Sequence, residues 1–335
     1  MFSFQIKGKL DGGLIQTPIP EPRESEVRIK IAYIGICGSD LHYYFDGANG
    51  AFVVREPLVP GHELSGVIDL DPSGEFESGT KVTIHPATFG KVETGLEDKR
   101  HLWPGGGYLG SASTWPHTQG AMSEYFIARK DAIRVLPAEL SLSSAALAEP
   151  LGVAIHAINV GGAINGKEVC VSGSGPIGLM VIAACKIKGA KKITATDVLD
   201  SALSRAKELG ADEVINVSNS QLPENTFDLV FECSAAAPAV SSALSSVKRA
   251  GIVVQVGMMG AEAQKIAFAP LVAKEIQIRG SFRFNTEIDD AISMLASNDW
   301  ISKAISHTFE LKDAIEAFNI AKDSSKSGKV LVKLS

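Results

Sequence analysis

The chain of 335 residues holds only four cysteines, Cys37, Cys170, Cys185 and Cys233. No two are closely spaced, and most lie inside apolar runs. A disulfide framework is therefore not expected, and a reducing cytoplasm is the simplest setting. No apolar run approaches the ~18 residues of a membrane-spanning helix. The opening stretch MFSFQIKGKLDGG lacks the apolar centre and small-residue cleavage site of a secretory signal. An excess of positive charge is also missing. Thirty-two basic against 38 acidic residues leave a net charge of -6, which offers no general attraction to nucleic acid or to an anionic membrane. Long-period repeats and low-complexity tracts are absent too. What is present is an ordinary globular composition, 45% apolar and 21% charged. The length exceeds what one hydrophobic core usually serves, so two domains are expected.

The texture changes near residue 150. Before it, short alternating runs are separated by Gly and Pro. In EVRIKIAYIGI, Val27, Ile29 and Ile31 alternate with Arg28 and Lys30, the period of a half-buried strand. From Lys167 the rhythm becomes strand, turn, helix. EVCVSG, KITATD, EVINV, FDLVFECS, IVVQVG and IQIRGSF read as strands. IGLMVIAACKIKG and SALSRAKELG read as helices between them, and PAVSSALSSVKRAG reads as another, running from Pro238 to just before Gly251. Such alternation implies a doubly wound, six-stranded parallel sheet covered on both faces. The tail after 285, with its helix EIDDAISMLAS and final strand GKVLVKLS, is left for the first domain. The expected division is 1–149 with 286–335, and 150–285.

In VSGSGPIG, Gly173, Gly175 and Gly178 have the G-x-G-x-x-G spacing, between a strand and a helix, with Pro176 and Ile177 inside the motif. The glycines suit a tight turn, close backbone approach to a pyrophosphate and close helix packing, and the helix N-terminus favours the phosphate charge. Asp197 ends the next strand. A carboxylate there takes a ribose 2′-hydroxyl and repels a 2′-phosphate, so NAD is favoured over NADP. Arg205 reads as a solvated helix residue.

GICGSDLH (35–42), VPGHELSG and LAEPLGVAIHA supply Cys37, Ser39, Asp40, His42, His62, Glu63 and Glu149. Taken singly, each has a plain reading as a buried thiol, a cap, a turn or a linker residue. Together, with GSGPIG and the acid after the next strand, they resemble the zinc-containing medium-chain dehydrogenases over nearly the whole chain. AEPLGVAIHA is similar to the polyol (sorbitol) dehydrogenase branch. LGSASTWPHTQGAMSEYF (109–126) and EIQIRGSFRF (275–284) resemble the L-idonate 5-dehydrogenases within it.

The resemblance implies a Rossmann domain beside a mainly β, GroES-like catalytic domain. It implies one catalytic zinc with Cys37 and His62 as ligands, and with Glu63 and Glu149 dividing the remaining role in an order the sequence leaves open. It makes Asp40 a support for the His62 ring, and Ser39 and His42 a proton path. Tyr43, Glu149 and Arg283 fall to the substrate, and Val256, Ser281, Phe282 and Arg283 to the cofactor. The substrate class is a sugar acid or polyol, L-idonate ahead of sorbitol or xylitol, and the assembly is a homo-oligomer, a dimer or tetramer. Many relatives carry four clustered cysteines for a structural zinc. The matching stretch HPATFGKVETGLEDKRHLWPGGGYLGS has none, so no structural zinc is expected. His85 and His101 within it read as loop residues. A zinc-independent NADPH reductase and a non-enzymatic nucleotide-binding protein are the competing classes. Cys37, His62 and Glu149, with Asp197, speak against the first, and the complete metal and relay set, Ser39 and His42 included, speaks against the second.

Overall fold

A computed structural model describes residues 1–335. The chain forms two compact units. One comprises Met1–Glu149, Ile288–Asp323 and Lys329–Ser335, the other Pro150–Glu287 and Ser324–Gly328. No helix is long and apolar enough to cross a membrane.

The first unit is built on a sheet whose strands lie in the order Ile133–Val135, Lys81–Ile84, Glu63–Leu70, Glu26–Gly35, Lys329–Lys333 and Ile305–Glu310, with Tyr125–Arg129 also paired to Glu26–Gly35. The alternation in EVRIKIAYIGI places Val27, Ile29 and Ile31 in the core, all fully buried. Phe4, Tyr44 and Phe318 join them, and Phe4 stacks on Phe318 at 5.4 Å. Each such fully buried large apolar side chain contributes about 1.5–3 kcal/mol. The two tail strands, Ile305–Glu310 and Lys329–Lys333, run parallel to each other, with the helix Ala314–Lys322 between them in sequence. Lys329–Lys333 then completes the sheet beside Glu26–Gly35.

The second unit is a six-stranded parallel sheet in the order Glu213–Asn216, Lys192–Asp197, Glu168–Ser172, Phe227–Glu232, Val247–Gln255, Gln277–Gly280. Strand order reverses beside Glu168–Ser172, the place where open parallel sheets leave a crevice for ligands. The helix Pro176–Ile187 is buried continuously from Gly178 to Cys185, as expected of a helix apolar all round.

Three details differ from the sequence expectation. The helix beginning near Pro238 ends at Ser246, not near Gly251. Val247 is fully buried, takes an extended conformation and pairs with Phe227, so the sheet claims it. Ser324–Gly328 packs with the second unit, not the first, where Arg205 donates to Ser324 O at 2.7 Å. Thr286 and Glu287 also belong to the second unit. The Glu287 carboxylate accepts the Asn285 and Thr286 N–H groups at 2.7 and 3.0 Å, and meets His156 Nδ1 at 2.8 Å and Asn159 Nδ2 at 3.2 Å.

Burial alone would raise the Glu287 carboxyl, but His156 and the backbone donors outweigh it and hold the group at about 2. An unfolded-chain glutamate titrates near ~4.3. The stability from this cluster is therefore present above that value and lost as pH falls toward about 2. Glu287→Gln is expected to cost about 1.5–3 kcal/mol at neutral pH and to lose less stability than the parent on acidification. Thermal unfolding across pH checks this; equal acid sensitivity of the two proteins would contradict it.

Candidate metal centre and nucleotide site

Cys37 lies two residues beyond the strand Glu26–Gly35, as the cap before the helix Gly38–Asp46. Asp40, in the first turn of that helix and fully buried, turns its carboxylate back to accept the N–H of Cys37 at 2.9 Å and of Gly61 at 3.1 Å. It thus ties the Cys37 backbone to the residue preceding His62. The resemblance implied that the Asp40 carboxylate accepts a hydrogen bond from the His62 ring. Both Asp40 oxygens instead take backbone donors, and the ring feels only the charge.

Glu63 opens the strand Glu63–Leu70, directly opposite Gly35. On the other side of Glu26–Gly35, Leu331 is opposite the same glycine. The Glu63 carboxylate reaches over Gly35 so closely that a Cβ at 35 would stand 2.0 Å from Oε2. Across that gap Lys329 Nζ donates to Glu63 Oε1 at 2.6 Å and Oε2 at 2.7 Å, and to Ile36 O at 3.1 Å. Glu63 is 1% exposed and Lys329 3%.

The ligand atoms of Cys37, His62 and Glu63 lie within 4.8 Å of one another. Glu149 is not of that trio. It sits in the first turn of the helix Ala148–Gly161, where the Tyr108 hydroxyl donates to its Oε1 at 2.5 Å. The Tyr108 ring packs edge-on against His62 at 5.3 Å. A thiol, an imidazole and a carboxylate are the donor set that Zn²⁺ accepts, and three protein donors leave a fourth position for a reacting oxygen. His62 Nδ1 is buried and bonds no protein atom, while the ring hydrogen-bonds the Cys37 side chain, so thiol and imidazole already stand as close as two ligands of one ion. The residues present therefore fit a zinc ion.

The electrostatics are those of a buried acidic cluster. Burial disfavours the His62 imidazolium, yet Cys37, Asp40 and Glu149 overcome it and raise the ring to about 10. Burial disfavours the Lys329 ammonium as well, and Glu63, Cys37 and Glu149 raise it nonetheless. Burial and the neighbouring Glu63 charge raise both the Glu149 and the Asp40 carboxyls, against opposition from His62. A divalent cation among these groups relieves the same crowding of negative charge.

Of the expected proton path, Ser39 is half-buried on the first helical turn. His42 is largely exposed, with Nδ1 2.9 Å from Asp46 Oδ2. Tyr43, expected beside the substrate, is 1% exposed, and its hydroxyl accepts the Ala112 N–H at 3.0 Å. Its side chain is spent on packing and on anchoring the 111–112 loop. The cysteine-free lobe is held by Arg100 over the Phe89 ring at 3.9 Å and by Trp103 Nε1 donating to Leu96 O at 2.7 Å. There His85 accepts the Ala87 N–H through Nδ1 at 3.2 Å.

In the second unit Gly173 has φ +91°, a value that L side chains rarely adopt, and a Cβ on Gly178 would stand 1.9 Å from Gly173 O. A Cβ on Gly175 would meet nothing within 4 Å, the open side such a loop keeps for a phosphate. Pro176 takes the first turn of the helix, followed by Ile177. Asp197 accepts the Ser174 N–H at 2.8 Å and the Leu199 N–H at 3.0 Å, so the carboxylate expected on the ribose also fixes the glycine loop. Arg205, expected in solvent, has its Nε buried and is held to Ser324.

The strand ends are cross-tied in the same way. Glu232 is fully buried and accepts from Ser234 N, Ala235 N and Gln255 Nε2, while its carbonyl takes the Val256 N–H at 2.9 Å. Ser281 N donates to Gln255 O at 2.9 Å, and the Ser281 hydroxyl is buried without a protein partner. Arg283 has φ +50° and lies over the Phe282 ring at 4.7 Å. Such a conformation in a non-glycine residue is costly and concentrates at ligand sites.

Sequence reasoning missed Tyr108, Lys329 and Glu232. Lys329 leaves a trace, a lysine heading the run VLV in a strand with no polar face. Tyr108 leaves none.

Two family models match the chain. An alcohol dehydrogenase GroES-like domain covers residues 23–138, and a zinc-binding dehydrogenase model covers 176–297. The L-idonate 5-dehydrogenase (NAD(P)(+)) of Escherichia coli is 37% identical over 310 residues, 90% of each chain. The sorbitol dehydrogenase of Bos taurus is 33% identical over 99% of this chain and 95% of its own. Among solved structures, L-idonate 5-dehydrogenase from E. coli superposes with a TM-score of 0.94 at 33% identity, covering 99% of this chain and 98% of that one.

Proposed function

The chain belongs to the zinc-binding medium-chain dehydrogenases, oxidoreductases acting on alcohols, and on that premise we propose that it oxidises a secondary hydroxyl of L-idonate, giving 5-keto-D-gluconate, with NAD. The observation that carries the reading is the buried convergence of Cys37, His62 and Glu63 within 4.8 Å. The higher identity to the idonate enzyme than to the sorbitol enzyme supports the sugar acid. Asp197 supports NAD over NADP, since a carboxylate there repels a 2′-phosphate.

When bound, zinc supplies Lewis-acid polarisation of the substrate hydroxyl, and the nicotinamide accepts the carbon-bound hydrogen as hydride. Cys37, His62 and Glu63 hold the metal in this reading. Glu149, steadied by Tyr108, orients the reacting oxygen. Ser39 receives the hydroxyl proton and His42, 60% exposed, releases it to solvent. Arg283 offers a planar guanidinium to substrate hydroxyls or carboxylate. A homo-oligomer is part of the proposal, supported by the sheet-edge strand Gln277–Gly280, where Ile278 is 40% exposed.

The test is NAD(P) reduction by L-idonate, D-gluconate, sorbitol and xylitol, before and after zinc removal, with metal analysis. The expected result is highest kcat/KM with L-idonate and NAD, one zinc per subunit, and loss of turnover on chelation with recovery on zinc addition. A sorbitol preference overturns the substrate, and activity surviving true zinc removal overturns the mechanism.

A further inference from the structure

The metal cluster contains a cation that no part of the mechanism above uses. Lys329 spends its three protons on both Glu63 oxygens and on Ile36 O, at 2.6, 2.7 and 3.1 Å. The pair spans the strand Glu26–Gly35 from one neighbour to the other, through the space left by the absent side chain of Gly35. Both partners are almost wholly buried. A lysine there faces lost hydration and a long side chain's lost freedom, so a surface-type ion pair of small effect does not describe it.

We propose that Lys329 is a positioning residue for the metal: by gripping both oxygens of Glu63 it fixes which lone pair of that carboxylate points at Cys37 and His62, and it offsets one negative charge of the ligand set. Each carboxylate oxygen has two lone pairs, so two bonds to Lys329 leave one on each for a metal. Among the thiol and the carboxylates gathered here, Asp40 included, a divalent cation and Lys329 both offset negative charge. Outer partners of this kind commonly govern metal affinity by about 10–100-fold. The inference rests on the metal-centre reading above, and its test separates the two.

Metal-free protein is titrated with Co²⁺ alone and followed by visible and near-ultraviolet absorption, for the parent, Lys329→Met, Glu63→Gln and the double variant. A thiolate-to-cobalt band in the parent reports Cys37 as a ligand; its absence would sink the metal-centre reading itself. With that band present, Lys329→Met is expected to weaken Co²⁺ binding about 10–100-fold and to shift the ligand-field bands. In the Glu63→Gln background the same replacement should change neither, because Lys329 acts only through Glu63. Unchanged affinity and spectrum in Lys329→Met, or an equal loss in both backgrounds, overturns the proposal. Should Lys329→Met fail to fold, the double variant leaves no buried charge unpaired and is compared with Glu63→Gln. A further loss in the double variant overturns the proposal; with affinities matching there, Lys329→Arg in the parent background decides, an altered Co²⁺ affinity or shifted ligand-field bands upholding the proposal and an unchanged affinity and spectrum overturning it.

Discussion

Cys37→Ala is expected to lower kcat/KM by at least about a thousandfold, with zinc lost from the purified protein. A metal acting as a Lewis acid contributes several kcal/mol to the barrier, and each 1.36 kcal/mol is a factor of ten in rate. Cys37 is the one donor of the trio on the 35–42 stretch and is half-buried, in a capping box with Asp40 at the start of the helix it precedes. Its loss should leave the fold intact, because the backbone is held by Asp40 bonding the N–H groups of residues 37 and 61. The checks are metal content, steady-state rate and thermal unfolding on the same preparation, with NADH binding as a control for the second unit. A variant with full zinc and ordinary turnover would show that the thiol is only a buried apolar group.

Gly178→Val should have the next largest effect, through a different unit. A Cβ at 178 would stand 1.9 Å from Gly173 O, and that oxygen is backbone, so the helix Pro176–Ile187 must shift away from its loop. Overpacking of this kind costs about 1–3 kcal/mol. If the whole cost falls on the nucleotide-binding conformation, affinity drops by roughly tenfold for each 1.4 kcal/mol. Gly175→Ala provides the contrast, because a Cβ there meets nothing within 4 Å. It should leave stability unchanged and still weaken nucleotide binding, since the open side is where a pyrophosphate approaches. Fluorescence titration with NADH, alongside zinc analysis, separates the cases. Unaltered NADH affinity in both variants would remove the glycine loop from the nucleotide site.

The readable parts of the fold were those where local pattern and tertiary role agree. EVCVSG, KITATD and FDLVFECS are apolar runs of strand length between helix signals, and each forms a central strand of the parallel sheet. The helix that ends at Ser246, and not near Gly251 as expected, shows the limit. VKRAG is acceptable in a helix by composition, but the pairing of Val247 with Phe227 decides its state. Tail residues 324–328 show the same limit, since they pack with the second unit, where Arg205 bonds Ser324 across 119 positions of chain.

The sequence by itself determined the kinds of chemistry available. Three glycines between a strand and a helix, an acid closing the next strand, and Cys37, His62, Glu63 and Glu149 in family-like settings are enough to name a nucleotide-dependent, zinc-binding oxidoreductase. Tertiary structure alone decided how those groups are deployed. It separated the two glutamates, giving Glu63 to Lys329 and Glu149 to Tyr108. It turned Asp40 from the His62 ring to the backbone of residues 37 and 61, and withdrew Tyr43 into the core. The physical reason is that donors and charges are assigned by proximity in space. Lys329 meets Glu63 across 266 positions of chain, because three strands lie side by side and the middle one has glycine at the crossing point. No local pattern records that neighbourhood.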